Sequence, residues 1–390
     1  MVSGRPVAGQ LRRFHLSVFA ASIGIAYVYL IPAFAEQLGA GYLDLGWIGT
    51  VRSLPYTFLP VIAGYLGDRV GRRRLYVLSI LFVGSATLLL AATHTIAGIL
   101  AVQILLGIGL SLFWPVSEAF VSEISPVSDR TAAIGTYAVA WGIGFLIGPL
   151  LGGIVADAAG FQISFFAAGI LIVTTSGISA VAIGGEQKQH DASLQSSTRP
   201  SWKVVSAILP MLVIQIPYAI VLAFIVSIFP GYAAKSGLSP SEVGLLLSGF
   251  GFARAAAFSL AGRIERFGEK KSIGLASSVM ALVLFLMPAN RSFIALLADA
   301  CLAGMLIGII YPQTAAYVSK RSPSENLGFA LGAYEAIFGI GFAVGPILSG
   351  FIAQTMSPDF ALLVLAVIAL SIVPILAFSG RGASAGESLN

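Results

Sequence analysis

The chain runs to 390 residues, of which 57% are apolar and only 10% charged, with a formal net charge of +5. A soluble domain carries about 25% charged residues, so a water-facing surface of ordinary composition is excluded, and the mean hydropathy of +0.93 agrees. The single cysteine, Cys301, excludes a disulfide framework or thiolate metal site within the chain, and the scattered His15, His94 and His190 form no ligand cluster.

Crossing a hydrocarbon layer as a helix takes about 20 apolar residues, because unpaired backbone groups are not tolerated in lipid. Read with that rule, the sequence predicts twelve spans. The first, 14–35, follows Arg5 and Arg12-Arg13; it is too long for a signal-peptide core and carries Tyr27 and Tyr29. The second, 45–67, contains Arg52. Between it and the third (75–93) lies GYLGDRVGRRR, Gly64 to Arg74, a tight cationic turn with Asp68 at a helix end. The fourth, 97–121, holds Gln103, Gly107, Trp114-Pro115 and Glu118, with Glu123 just beyond.

The fifth span, 132–156, carries Gly144-x-x-x-Gly148-Pro149-x-x-Gly152. Residues four apart share a helix face, so these glycines form a smooth stripe for a close neighbour, and Pro149 removes a backbone bond. A sixth span, 161–183, precedes a polar, flexible stretch at 184–202. The second half continues with spans at 203–231 (Gln215, Tyr218), 241–262 (Arg254), 272–289, 293–318 (Asp299, Tyr311, Gln313, Thr314), 328–354 (Glu335, Gly345-Pro346) and 359–378. This divides the chain into 1–183, a linker 184–202, and 203–390.

Twelve spans leave both termini on one side. Of the 22 Lys and Arg, only Lys235 and Arg291 fall on the opposite side and Arg52 and Arg254 within spans. The positive-inside rule then predicts cytoplasmic termini and a plasma-membrane location. Because the basic residues sit in short clusters between spans, the basic balance points to topology and away from nucleic acid.

A shift of 197 residues overlays the halves without a gap over a long stretch: Gly71 on Gly268, Gly107 on Gly304, Trp114-Pro115 on Tyr311-Pro312, Tyr137 on Tyr334, and Gly148-Pro149 on Gly345-Pro346. Glycine and proline have backbone roles that other residues replace poorly, so the register marks a duplicated six-helix unit. The same register sets Arg72 against Glu269 and Glu123 against Lys320, a charge pair of reversed sign in each half. A salt bridge in each half, biasing the closure of a gate, is the expectation.

These residues carry a resemblance. GYLGDRVGRRR, with its weaker echo AGRIERFGEKK at Ala261 to Lys271, resembles the signature loop of the Major Facilitator Superfamily, and the likeness extends over roughly 12–380. The fifth-span glycine string resembles the antiporter motif of that superfamily's 12-helix proton-coupled drug exporters. The resemblance implies two pseudo-symmetric six-helix bundles working by alternating access about a midplane site. It also implies a cavity lined by spans one, four, seven and ten, here Tyr27, Tyr29, Trp114, Gln215, Tyr218, Tyr311, Gln313 and Thr314. One departure stands out: such exporters have an arginine four residues before the glycine that is Gly107, and this chain has Gln103.

Ionisable groups inside a span are expensive and are functional candidates by default. Arg52, Glu118, Arg254, Asp299 and Glu335 are the five. For Glu118 and Arg52 the alternative is reaching the interface; for Arg254 and Glu335 it is a fixed ion pair. The functional reading of Glu335 is a carboxylate that gains and loses a proton during a transport cycle. The gating-loop candidates are Gly64, Asp68, Arg69, Gly71, Arg72, Glu123, Glu269 and Lys320, and the packing candidates Gly144, Gly148, Pro149, Gly152, Gly345 and Pro346. No nucleophile–histidine–carboxylate set, metal cluster or phosphate loop is present, so neither an enzyme nor a cofactor is expected. The expectation is a monomeric secondary transporter for a small solute in the bilayer, most naturally proton-coupled efflux of amphipathic compounds. An uptake symporter or uniporter for a metabolite, and a non-transporting sensor, stay open.

Overall fold

The computed structural model describes residues 4–125, 130–183, 202–290, 292–322 and 327–378. The expected linker lies outside them except for Trp202. In the first half, α1 (Gly4–Ile25) passes through a 3-10 turn (Ala26–Leu30) into α2 (Ile31–Gln37). Then come α3 (Tyr42–Val70), α4 (Arg72–Ala91), α5 (Ile96–Ile124), α6 (Arg130–Ala159) and α7 (Phe161–Ala182). The second half comprises α8 (Trp202–Ser227), α9 (Phe229–Lys235), α10 (Pro240–Ser259) and α11 (Ala261–Ile264). It continues with α12 (Glu269–Leu286), α13 (Phe293–Arg321), α14 (Leu327–Thr355), α15 (Pro358–Leu370) and α16 (Ile372–Phe378). Among the described residues there is no strand.

Among the described residues, ten stretches are long and apolar enough to cross a membrane, and Pro240–Ser259 with Ala261–Phe267, bent by 56°, forms an eleventh. The 29-residue α3 completes twelve. Large apolar side chains such as Phe58, Phe252, Val181 and Ile294 are exposed, as a lipid-facing surface requires.

Four expected spans are interrupted, the eighth at Leu260 and the twelfth at Ser371 among them. The first divides at the 3-10 turn before Pro32, and the seventh at Ile228 before Pro230. Proline costs no hydrogen bond in a helix's first turn, so it marks a restart. Local signals repeat at the 197-residue spacing. Gly71 (φ 96°) and Gly268 (φ 92°) both turn the chain into the next helix in a conformation that side chains resist. Thr95 caps α5 by accepting from Gly98 N (3.1 Å), as Ser292 caps α13 from Ala295 N (3.3 Å).

Contacts divide the chain into two compact units. Unit one is Met1–Ala40, Val51–Asp191 and Ala233–Ser248; unit two is Gly41–Thr50, Ala192–Tyr232 and Gly249–Asn390. Within unit one, the glycine stripe of α6 lies on α1. A Cβ at Gly144 would stand 2.6 Å from Ser22 Cβ, one at Gly148 would strike Ile23 O, and one at Gly152 would come 3.0 Å from the Tyr27 ring. Within unit two, α14 lies on α8 in the same way, Gly341 against Ala219 and Gly345 against Ile220 and Ala223. Those partners are 197 residues from Ser22, Ile23 and Ala26, so the crossing is one geometry used twice.

A second crossing also repeats. In unit one the start of α10 crosses α6: a Cβ at Gly153 would meet Pro240 O and one at Gly244 would meet Pro149 O. Ser241 N–H donates to Asp157 Oδ2 at 3.0 Å. In unit two the start of α3 crosses α14: a Cβ at Gly350 would meet Tyr42 O, and one at Gly46 would lie 2.8 Å from Pro346 O. Tyr42 N–H donates to Gln354 Oε1 at 2.9 Å, and Thr50 Oγ1 donates to Ala343 O at 2.7 Å.

Candidate substrate site

In unit one the two ion-prone and aromatic faces of α1, α3, α5 and α6 meet. Arg52 is 6% exposed; its Nη1 donates to Val28 O at 3.4 Å and its guanidinium lies 5.9 Å from the Tyr29 ring. Tyr29 stands edge-on to Phe145 (5.4 Å), which adjoins Trp114 (5.7 Å) and Trp141 (6.0 Å). Trp114 and Trp141 are themselves 5.6 Å apart. Tyr27 packs on Gly152 in the α1–α6 crossing. Glu118 is exposed, within electrostatic reach of the buried Tyr137, and Gln103 is fully buried.

Unit two gathers a denser nest. Tyr311 Oη donates to Glu335 Oε1 at 2.9 Å. The next turns hold the rings in place: Thr314 Oγ1 lies 2.7 Å from Tyr334 Oη and accepts from Gln215 Nε2 at 3.4 Å. Tyr218 lies tilted at 6.2 Å from both Tyr311 and Phe338, and Phe258 lies 6.3 Å from Tyr311. Arg254 places its guanidinium 5.2 Å from the Phe258 ring and beside the Tyr218 hydroxyl. Among the described residues, Arg254 and Glu335 are not within ion-pair distance of each other, so the fixed ion pair is not formed. Tyrosines stand between two opposite charges inside one mostly apolar setting.

Two expected members lie elsewhere. Gln313 is buried with its amide donating to Ala261 O (3.0 Å), where it ties α11 to α13. One helix residue advances about 100°, so Gln313 and Tyr311 cannot share a face. Asp299 accepts from Asn290 Nδ2 at 2.8 Å. It sits twelve residues from Tyr311 along α13, or about 18 Å, and holds the α12–α13 connection.

At the loops, Arg72 Nη1 lies 3.5 Å from Glu123 Oε2, and Lys320 Nζ lies 2.8 Å from Glu269 Oε1. Gly64 lies within α3, the Asp68 side chain is outside what the structure describes, and Arg69 is exposed in the last turn of α3. Arg321 adds a contact of 3.6 Å to Glu269 and covers the Tyr317 ring at 3.5 Å. Lys320 also pairs with Glu265, a residue the sequence reading passed over. The signal was present, since Glu265 falls on Asp68 at the 197-residue spacing. Phe258, Tyr334 and Phe338 were likewise passed over in the nest, although the Tyr137–Tyr334 alignment pointed at one of them.

Twelve spans in two repeated sets, with polar and aromatic clusters at the centre of their helices, define a multi-pass membrane transporter. The description of the Major Facilitator Superfamily matches residues 14–213 and again 211–388, and the chain belongs to that family. Among its relatives is Multidrug resistance protein 1 of Bacillus subtilis, 25% identical over 344 residues, covering 86% of this chain and 87% of that one. Quinolone resistance protein NorA of Staphylococcus aureus is 23% identical over 356 residues, covering 87% and 89%. Solved structures share the fold: a POT family transporter in complex with 5-aminolevulinic acid (TM-score 0.78, 13% identity, 98% of both chains). A bacterial homologue of the human lysosomal transporter Spinster does likewise (TM-score 0.77, 12% identity, 97% and 96%).

Proposed function

We propose that this chain is a secondary transporter of the plasma membrane, both termini cytoplasmic, that exports amphipathic compounds in exchange for protons. The observation that carries this reading is Glu335: a half-buried carboxylate in a helix interior, held by the Tyr311 hydroxyl and, among the described residues, with no cation at ion-pair distance. A carboxylate fixed by a cation stays charged; one held only by a neutral hydroxyl is able to exchange its proton. The drug-resistance relatives and the glycine string of α6 support the direction, and the Lys and Arg distribution supports the orientation. The working unit is one chain in the bilayer, with a small solute and protons as its only partners.

A second reading, facilitated or uptake transport of a metabolite, is favoured by Gln103, an uncharged and fully buried residue where exporters of this type carry an arginine. Proteoliposomes with an interior pH dye separate the two. Solute-dependent proton movement in the wild type that disappears in Glu335→Gln, with the variant monodisperse, supports exchange. Solute flux indifferent to a pH gradient supports the second reading.

A further inference from the structure

The nest in unit two keeps two opposite charges apart instead of letting them neutralise each other. Among the described residues, Arg254, on α10, meets the Phe258 ring at 5.2 Å and the Tyr218 hydroxyl, and its buried Nε has no acceptor. Glu335, on α14, meets the Tyr311 hydroxyl. Gln215 has no exposed surface, and among the described residues its amide oxygen has no donor. Buried donors and acceptors are ordinarily matched, and leaving one unmatched is expensive. Here an unmatched donor carries a positive charge, an unmatched acceptor lies nearby on α8, and a carboxylate completes the set. Rings of Tyr218, Tyr311, Phe258 and Phe338 stand around them.

A ligand of one sign satisfies only half of this arrangement. A cation on Glu335 leaves Arg254 unmatched, and an anion on Arg254 leaves Glu335 beside a second negative charge. A solute carrying both signs on an aromatic body satisfies all of it: the anionic group takes Arg254 Nε–H, and its ammonium donates to Glu335 and Gln215. Aromatic faces offer the apolar body both area and attraction for a nearby cation. We propose that the nest of Gln215, Tyr218, Arg254, Tyr311 and Glu335 selects zwitterionic amphipathic solutes, with Arg254 and Glu335 as the specificity-determining residues. This rests on the reading of Glu335 as part of a solute path.

Equilibrium binding to the full chain in nanodiscs, at one pH and without a gradient, tests it. The probes are a matched radiolabelled series: naphthylalanine, naphthylethylamine and naphthylpropionate, which share a ring and differ in charge. The wild type is expected to bind naphthylalanine at least tenfold more tightly than either singly charged relative. Arg254→Gln should bring naphthylalanine down to the level of naphthylethylamine, and Glu335→Gln down to that of naphthylpropionate. Arg254→Lys keeps the charge without Nε and should fall between, which guards against a misfolded glutamine variant. Equal wild-type affinity for naphthylalanine and naphthylethylamine, with Arg254→Gln unchanged, overturns the proposal, as does binding of none of the three. Failure of proton exchange shows in the liposome dye and leaves this binding pattern intact, so the two readings fail separately.

Discussion

Asp157 Oδ2 accepts the backbone N–H of Ser241 at 3.0 Å, so a side chain at the end of α6 closes the start of α10. Its counterpart 197 residues on is Gln354, whose Oε1 accepts the N–H of Tyr42 at the start of α3. The start of α10 is offset by one further residue, which aligns Pro240 with Tyr42. Proline has no N–H to give, and the bond moves on to Ser241. One capping device is thus used twice, once with a charged acceptor and once with a neutral one.

Removing either cap should loosen its crossing. An N-cap replaced by alanine costs about 0.5–2 kcal/mol, and a carboxylate gains further from the helix dipole. Asp157→Ala is therefore expected to lower the thermal midpoint of the purified protein more than Gln354→Ala does. Differential scanning fluorimetry in detergent reads it, and an equal or reversed ranking contradicts the cap account.

The glycine stripe makes a positional prediction. Gly148→Ala places a methyl group on Ile23 O, whereas Gly142→Ala meets open space, with nothing within 4 Å. Overpacking of a close crossing costs about 1–3 kcal/mol. Gly148→Ala should sharply reduce the yield of monodisperse protein while Gly142→Ala matches the wild type on size-exclusion chromatography.

The loop ion pairs differ in how cleanly they can be reversed. Arg72 and Glu123 meet at 3.5 Å, while Lys320 is shared between Glu269 and Glu265. Arg72→Glu and Glu123→Arg should each slow transport and their combination should recover most of it. Reversing Lys320 and Glu269 should recover little, because Glu265 and Arg321 stay behind with the wrong sign. Exposed pairs of this kind are worth about 0–1 kcal/mol, so effects of a few-fold in initial rate are expected in a vesicle assay, and they should shrink at high salt.

Tyr311→Phe separates holding Glu335 from supplying it. The ring and its contacts remain, and Tyr334 keeps its bond to Thr314. A hydrogen bond to a charged group is worth about 1.5–3 kcal/mol. Solute-driven proton exchange should fall at least tenfold in Tyr311→Phe, with the thermal midpoint nearly unchanged. Unchanged exchange would mean that the bond at 2.9 Å is incidental.

Much of the fold was legible because lipid imposes a length on every span and because Gly107, Pro149 and their counterparts have no substitutes. The breaks at Ala26–Leu30 and Ile228 were not legible. An apolar run reads the same whether it continues or restarts, and only Pro32 and Pro230 hinted at the second possibility. The nest was legible in part. Tyr218, Tyr311 and Thr314 were implied by the family resemblance and Glu335 by its charge inside a span, but the separation of Arg254 from Glu335 depends on helix rotation, to which composition is blind. Gln313 was misplaced for that reason, since it stands two residues from Tyr311 and looks towards Ala261. Glu265 was recoverable from its alignment with Asp68, and Asp157 with Gln354 from theirs.

The repeated crossings have a consequence for the two halves of the chain. Glycines, prolines and caps recur across the halves, whereas at the 197-residue spacing Glu335 falls on Ala138 and Arg52 on Gly249. The frame is repeated between the halves, whereas these buried charges stand in one half each. A tandem of two first halves would keep every crossing of α6 on α1 and inherit no counterpart of Glu335. The two halves thus share one helix frame and differ in the buried charges that each carries.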